Sequence, residues 1–138
     1  MPIFYPQANS KLAIMWLAEG VSVETAVAPL PEGTPFVVSE NFDLDPDFLD
    51  AYEFDADAGA VLNMDKARAI RLDQFREARK PLLEALDVDY MRALEVEDSV
   101  KASQIAIAKQ ELRDVTKIPL PDTLPEIKET WPSILNPS

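Results

Sequence analysis

With 138 residues, 47% of them hydrophobic, the chain has the length and composition of one folded domain, or of a small domain with a helical extension. It contains no Cys and no His, which excludes thiol nucleophiles, imidazole bases, disulfides and the usual zinc sites, and no apolar run is long enough to span a membrane. The net charge of −12 is concentrated in residues 1–62, which hold eleven acidic residues and one basic residue, so we expect neither nucleic acid nor an anionic membrane as a partner.

Residues 1–62 read as a small β-rich acidic module of short strands separated by turns. Apolar, β-favouring runs occupy residues 3–5, 12–17, 34–38 and 51–55, and Pro or Gly bounds most of them. Ser22 is placed to cap a single helical turn over 22–28. Turns are predicted at 31–33 and at Gly59. The economical arrangement is an antiparallel sheet of three or four strands.

The segment from Glu40 to Asp57 holds eight carboxylates in eighteen residues. Three of its aspartates have the alternate spacing of a calcium loop, but Phe48 and Phe54 stand where such a loop needs Gly and Glu. We therefore favour a solvated loop whose aromatic residues (Phe42, Phe48, Tyr52, Phe54) pack inward. Paired carboxylates can hydrolyse glycosides, but none here has a setting that would raise its pKa, so we expect no catalytic residue, metal or cofactor.

Residues 63–117 predict a helical hairpin. Asn63 or Asp65 can cap the first helix, and Pro81 should kink it or split it in two. Residues 96–99 form a corner, from which Asp98 or Ser99 caps a second helix to about Val115. Apolar residues at three- and four-residue spacing predict the packed core: Leu82, Leu86, Met91, Leu94, Ile105 and Leu112. Ile107 falls off this stripe.

The first helix carries six basic residues between Lys66 and Lys80. They could form a docking face for another protein, or pair with the acidic module of the same chain. The tail, residues 118–138, begins extended at two prolines, and Thr123 with Glu126 has the spacing of a capping box that starts a short helix. Trp131 either fixes the tail to its own core or contacts a partner.

The order of these pieces resembles the tail fibre assembly proteins of bacteriophages and prophages. The likeness covers about residues 63–132 and consists of spaced arginines, leucine-rich and Leu-Arg-Asp segments, and a Trp-Pro pair near the end: Arg68, Arg71, 82–86, 90–95, 109–114, and Trp131 with Pro132. An N-terminal β module precedes them in both. The fold expected is α+β, with a small N-terminal antiparallel sheet, a long Pro-kinked helical hairpin, and an extended Pro-rich tail containing a short helix.

The resemblance implies a protein without enzymatic activity. Such proteins bind the end of a phage tail fibre polypeptide in the host cytoplasm, assist its folding and trimerisation, and in some systems stay on the finished fibre, in one or several copies. The alternative is a permanent virion component such as a baseplate or fibre adaptor. We expect the fibre contact to use Arg71, Arg79, Ile107 and Trp131.

Overall fold

The computed structural model describes residues 1–8, 11–40 and 42–136, and its α+β architecture confirms the predicted fold class. The chain divides into two compact units, Met1–Ala67 and Arg68–Ser138. The strands of the described residues all lie in the first unit. The second unit contains most of the predicted hairpin together with the whole predicted tail.

A three-stranded antiparallel sheet opens the first unit, in the order β2–β1–β3. Its strands are β1 (Pro2–Pro6), β2 (Leu12–Trp16) and β3 (Val37–Val38). Phe4 in β1 pairs with Ile14 on one side and with Val37 on the other. The first two strands confirm the prediction. The third is shorter than predicted, because the N–H of Thr34 is bonded to the carbonyl oxygen of Pro31 in the preceding turn and so is not free for a ladder.

Between β2 and β3 lies the predicted helical turn, α1 (Val23–Val27). Ser22 caps it, since its hydroxyl oxygen accepts the N–H of Thr25 at 3.2 Å. This prediction is confirmed.

The turn that Gly59 predicts is present, although Gly59 itself directly follows it. Gly59 is the first residue of β5 (Gly59–Leu62), which pairs with β4 (Tyr52–Asp55) in a second, two-stranded sheet. The turn is formed by residues 56–58, and Gly59 lies opposite Asp55. A Cβ on Gly59 would lie 2.7 Å from Cδ2 of Phe4, and its φ is +86°, so glycine is required here by close approach as well as by conformation. Two small sheets therefore replace the single predicted one.

The acidic segment packs its aromatic residues inward, as predicted. A 3-10 helix over Pro46–Ala51 leads into β4, and Phe48 and Tyr52 are buried. Phe42 and Phe54 are half buried. The carboxylates of this segment remain at the surface, because the burial of the aromatic rings sets which side of the loop faces inward.

The first long helix, α2 (Met64–Glu95), begins at the predicted cap. The Asn63 side-chain oxygen accepts the N–H of Lys66 at 3.1 Å. Of the two outcomes expected at Pro81, a split into two helices is not observed, because α2 continues through this residue. The apolar residues that flank Pro81 (Ala78, Leu82, Leu83) pack against one buried cluster, which favours a continuous helix despite the missing N–H donor.

The second long helix, α3 (Ser99–Asp114), is capped by Asp98, whose carboxylate accepts the N–H of Lys101 at 3.0 Å. It packs antiparallel to α2, as expected for a hairpin. Two buried clusters lie along their contact: Phe75, Leu112, Val115 and Leu135 towards the start of α2, and Ala93, Ala102 and Ile105 towards the hairpin turn.

Two residues assigned to the core by the sequence are exposed. Met91 is 58% exposed and Leu94 is 49% exposed. The buried stripe continues from Leu86 and Tyr90 to Ala93, a small residue that a count of large apolar side chains passes over. With 100° per residue, Leu94 then lies about 80° and Met91 about 140° from the contact with α3. The other predicted core residues are buried or half buried.

The tail folds back along the hairpin. Its short helix, α4 (Leu124–Glu129), is capped by Thr123, whose hydroxyl accepts the N–H of Glu126, as the capping-box spacing predicts. A 3-10 helix over Ser133–Leu135 was not predicted. Its last residue, Leu135, completes the buried cluster around Phe75.

Candidate functional site

Three of the five arginines of α2 share a face with its buried residues. Arg68, Arg71 and Arg79 recur at the same three- and four-residue spacing as Phe75 and Leu82, so they lie on one stripe. From the sequence, the basic residues were expected to form a docking face for another protein or to pair with the acidic module. In the structure these three guanidinium groups donate to backbone carbonyl groups of the second unit. Lys66, by contrast, pairs with Glu53 of the acidic module at 3.0 Å, which is one of the two expected alternatives.

Arg71 binds the end of α4. Its guanidinium donates to the carbonyl oxygen of Lys128 at 2.8 Å and to that of Thr130 at 3.2 and 3.1 Å, and Nη1 donates to Gln74 at 2.6 Å. A cation is favourable here because the last carbonyl groups of a helix have no intrahelical partner and carry partial negative charge. Partial burial lowers the pKa of Arg71, but a guanidinium keeps its proton at physiological pH.

Trp131 lies against Arg71 and Phe75. The guanidinium carbon of Arg71 is 5.0 Å from the centroid of the indole ring, and the Phe75 ring meets the indole edge-on at 5.4 Å and 72°. The indole N–H donates to Asn136 at 3.0 Å. We call Arg71, Phe75 and Trp131 the Arg71–Trp131 cluster. It joins the tail to the hairpin, yet Trp131 remains 37% exposed.

Arg79 and Arg68 also donate to backbone carbonyl groups of the second unit. Arg79 donates to the carbonyl oxygens of Arg113 at 2.8 Å and Leu112 at 3.4 Å, at the end of α3. Arg68 donates to the carbonyl oxygen of Pro121 at 3.0 Å in the extended part of the tail. Arg68 and Arg71 therefore position the tail against α2, and Arg79 positions the end of α3.

Of the four residues predicted to contact a partner, the structure brings two together. Arg71 and Trp131 touch, whereas Arg79 binds the end of α3. Ile107 is 62% exposed and lies on the side of α3 turned away from Ile105 and its contact with α2. Ile107 therefore belongs to a different surface from the Arg71–Trp131 cluster.

Further apolar side chains are exposed on both helices around the hairpin turn, on the sides of α2 and α3 that do not face each other. Around the hairpin turn, within residues 88–107, six large apolar residues are about half exposed or more: Val88, Met91, Leu94, Val96, Val100 and Ile107. We call these six the hairpin-turn set. Among them the sequence predicted a partner contact only for Ile107, and it assigned Met91 and Leu94 to the core. The 3.6-residue periodicity could have found Met91 and Leu94 if Ala93 had been counted as a core position.

A groove lies between the end of α3 and the tail, with a volume of about 440 Å³. We call it the α3–tail groove. Its lining is mainly apolar, with two carboxylates and a hydroxyl: Val115, Ile118, Trp131 and Pro132, then Glu111, Asp114 and Thr130. Lys117 at 3.0 Å and Gln110 at 3.0 Å hold the pKa of Asp114 below its usual value. The groove is therefore an apolar surface with negative charge at its α3 side.

In the first unit, one carboxylate has a defined set of partners. Asn63 donates to Glu53 at 2.8 Å, Lys66 lies 3.0 Å away, and these contacts hold the pKa of Glu53 below its usual value. Within residues 1–8, 11–40 and 42–136, no group of three or more acidic side chains is placed to hold a metal ion. Nor does any helix in those ranges have the length and hydropathy needed to cross a membrane.

Comparisons with protein-family models, with curated proteins and with solved structures gave no match to this chain. The function is therefore inferred from the residues of the chain themselves. They form a hairpin closed by its own tail, an exposed hairpin-turn set and a groove with a negative rim.

Proposed function

We propose that the protein is a bacteriophage tail fibre assembly chaperone, or an accessory protein that stays on the fibre. It binds one end of a fibre polypeptide and assists its folding and trimerisation. The proposal extends the resemblance carried by the arginines, the Leu-Arg-Asp segment and the Trp-Pro pair. The observation that supports it most is the exposure of the hairpin-turn set in a chain with a net charge of −12.

Exposed apolar residues that recur along both helices are typical of a surface that another protein covers. Burying a Val, Leu, Ile or Met side chain is worth about 1.5–3 kcal/mol relative to full exposure. Six half-exposed side chains can therefore supply several kcal/mol to binding, after the cost of association. Single exposed apolar residues are common on any protein, so it is their number within residues 88–107 that supports a binding role, with a partner that encloses the end of the hairpin.

A fibre end presents a matching surface. Before its chains close into a trimer, it exposes apolar residues and unpaired strand edges, which associate non-specifically unless they are covered. The first unit offers a second contact of this kind. β2 is an edge strand of its sheet whose start is bridged to β4 through Lys11 and Glu53, and Trp16 at its other end is 60% exposed. A partner strand can add to such an edge through backbone hydrogen bonds.

Co-expression with the fibre gene that neighbours its own tests the proposal. The soluble trimer yield of the fibre is measured by gel filtration with and without this protein. We expect the trimer to form only, or mainly, in its presence. An equal yield of trimer without the protein would refute the chaperone function.

A variant pair connects the result to the surface. Val100→Ser with Ile107→Ser removes two exposed apolar side chains from α3, and we expect the trimer yield to fall while the helical content is retained. Ala69→Ser, also exposed and helical, is the matched control and should leave the yield unchanged. Purified virions separate the two forms of the proposal. A chaperone is absent from them, and a permanent component is present at fixed stoichiometry.

A further inference from the structure

The α3–tail groove has two carboxylates at its α3 side, and they differ in their partners. Glu111 and Asp114 lie three residues apart in the last turn of α3, so both point to the same side of the helix. Carboxylates are unfavourable at this end of a helix because the last carbonyl groups are already partly negative. Asp114 is paired with Lys117, whereas Glu111 makes no ion pair or side-chain hydrogen bond with any residue that the structure describes.

Below these carboxylates the groove is apolar. Val115 is buried at its base, Ile118 is half buried, and the partly exposed indole of Trp131 forms the opposite wall with Pro132. A volume of about 440 Å³ falls within the range of ligand sites, about 300–1,000 Å³. A lysine or arginine matches both parts, since its aliphatic stem packs on apolar surface while its charged end stays at the rim.

We propose that the α3–tail groove binds a lysine or arginine side chain, together with the apolar residue beside it, from an extended segment of a partner protein. The inference rests on the proposed function in that the partner is a folding fibre polypeptide. Glu111 receives the cation, and Val115, Ile118 and Trp131 receive the apolar residue. The acidic character of the whole chain favours the approach of such a segment.

A synthetic peptide, Ac-Ala-Leu-Arg-Ala-Ala-NH₂, is the probe, and the same peptide with citrulline in place of arginine is its neutral control. The protein carries Trp16→Phe, so that Trp131 is the sole tryptophan. Binding is followed by tryptophan fluorescence and by the shift of the single indole N–H signal. We expect the arginine peptide to bind and the citrulline peptide to bind about three- to fivefold more weakly, with the difference lost at high salt.

Two variants locate the contact. Glu111→Gln should weaken the binding of the arginine peptide by the same three- to fivefold and leave the binding of the citrulline peptide unchanged. Glu95→Gln, an exposed carboxylate at the other end of the hairpin, changes the net charge equally and should have no effect. The proposal is overturned if the indole signal of Trp131 does not move, if both peptides bind equally, or if the two variants behave alike.

The co-expression assay separates this inference from the function on which it rests. A fibre that needs the protein for trimerisation while the two peptides bind equally would refute the groove and leave the chaperone function standing. If the arginine peptide binds more tightly than the citrulline peptide but the fibre trimerises without this protein, the chaperone function is refuted. The groove then remains a site for basic segments.

Discussion

Trp131→Ala tests whether the tail is held by the Arg71–Trp131 cluster. A fully enclosed aromatic side chain buries about 150–250 Å². Because Trp131 is 37% exposed, the area it removes from water is about 130 Å², worth about 3 kcal/mol at 25 cal/mol per Å². Alanine keeps the β-carbon in place, so we expect the free energy of unfolding of the second unit to fall by about 2–3 kcal/mol.

The contact with Arg71 adds a term that a double-mutant cycle isolates. Arg71→Met keeps most of the aliphatic stem and removes the bonds to the carbonyl oxygens of Lys128 and Thr130, at an expected cost of about 1–2 kcal/mol. If the guanidinium and the indole interact as their 5.0 Å separation indicates, the double variant should lose less than the two single losses together. The expected coupling is about 0.5–1.5 kcal/mol.

Urea unfolding followed by circular dichroism at 222 nm measures these changes, because the long helices dominate that signal. Trp16→Ala is the matched control, since Trp16 is 60% exposed and lies in the other unit. It should leave the helical transition unchanged. A loss below 1 kcal/mol for Trp131→Ala, or a coupling within the 0.3 kcal/mol expected of independent sites, would show that the tail is held by other contacts.

Three further outcomes are expected. Ile107→Ser should change the free energy of unfolding by less than about 0.5 kcal/mol, yet lower fibre trimer yield, which separates a binding residue from a structural one. The Glu53 carboxyl should titrate by NMR below the value of about 4.3 for a free glutamate, because Asn63 and then Lys66 favour its charged form. The contribution of ionised Glu53 to stability is therefore fully present above the pKa of a free glutamate, and it is lost as the pH falls through the lower pKa of the folded state. Asn63→Ala should move the pKa of Glu53 back towards about 4.3. Pro81→Ala should stabilise α2 by about 1–3 kcal/mol in thermal or urea unfolding, since it restores a backbone donor at an exposed helical position; no gain would mean that the helix already accommodates proline without cost.

Local chemistry made much of this fold predictable. Ser22, Asn63, Asp98 and Thr123 all cap the helices that their sequence positions predict, because a short polar side chain before an apolar run has few other ways to satisfy the first N–H groups. The class and order of the elements follow from these caps and from the apolar periodicity.

Non-local contacts account for the errors. Gly59 adjoins the turn that its type predicts, but its place in β5 and its close approach to Phe4 depend on the folded chain. Met91 and Leu94 look like core residues because they are large, whereas the close approach of α3 at that level favours a residue as small as Ala93. Neither constraint is visible until the chain is folded.

The partners of the arginines could not be predicted from the sequence, for a related reason. A basic helix in an acidic chain suggests a charged partner, and the sequence contains no sign that the partners of Arg71 and Arg79 are backbone carbonyl groups at the ends of α4 and α3. Such groups exist only after those helices have formed and ended at the right place. Charge pattern alone therefore overestimates how many surface cations are free for binding.

The Arg71–Trp131 cluster and the α3–tail groove of the second unit depend on each other, whereas the hairpin-turn set is separate from both. Arg71 fixes Thr130, and Thr130 to Pro132 form one wall of the α3–tail groove, so the groove exists only while the tail is bound to the hairpin. Trp131 belongs to both the Arg71–Trp131 cluster and the groove. Its ring contacts Arg71 and Phe75, and it also lines the groove. Holding its own core and contacting a partner are thus compatible roles for Trp131. The hairpin-turn set has no such internal role, because its side chains lie to the side of the contact between α2 and α3 or away from it.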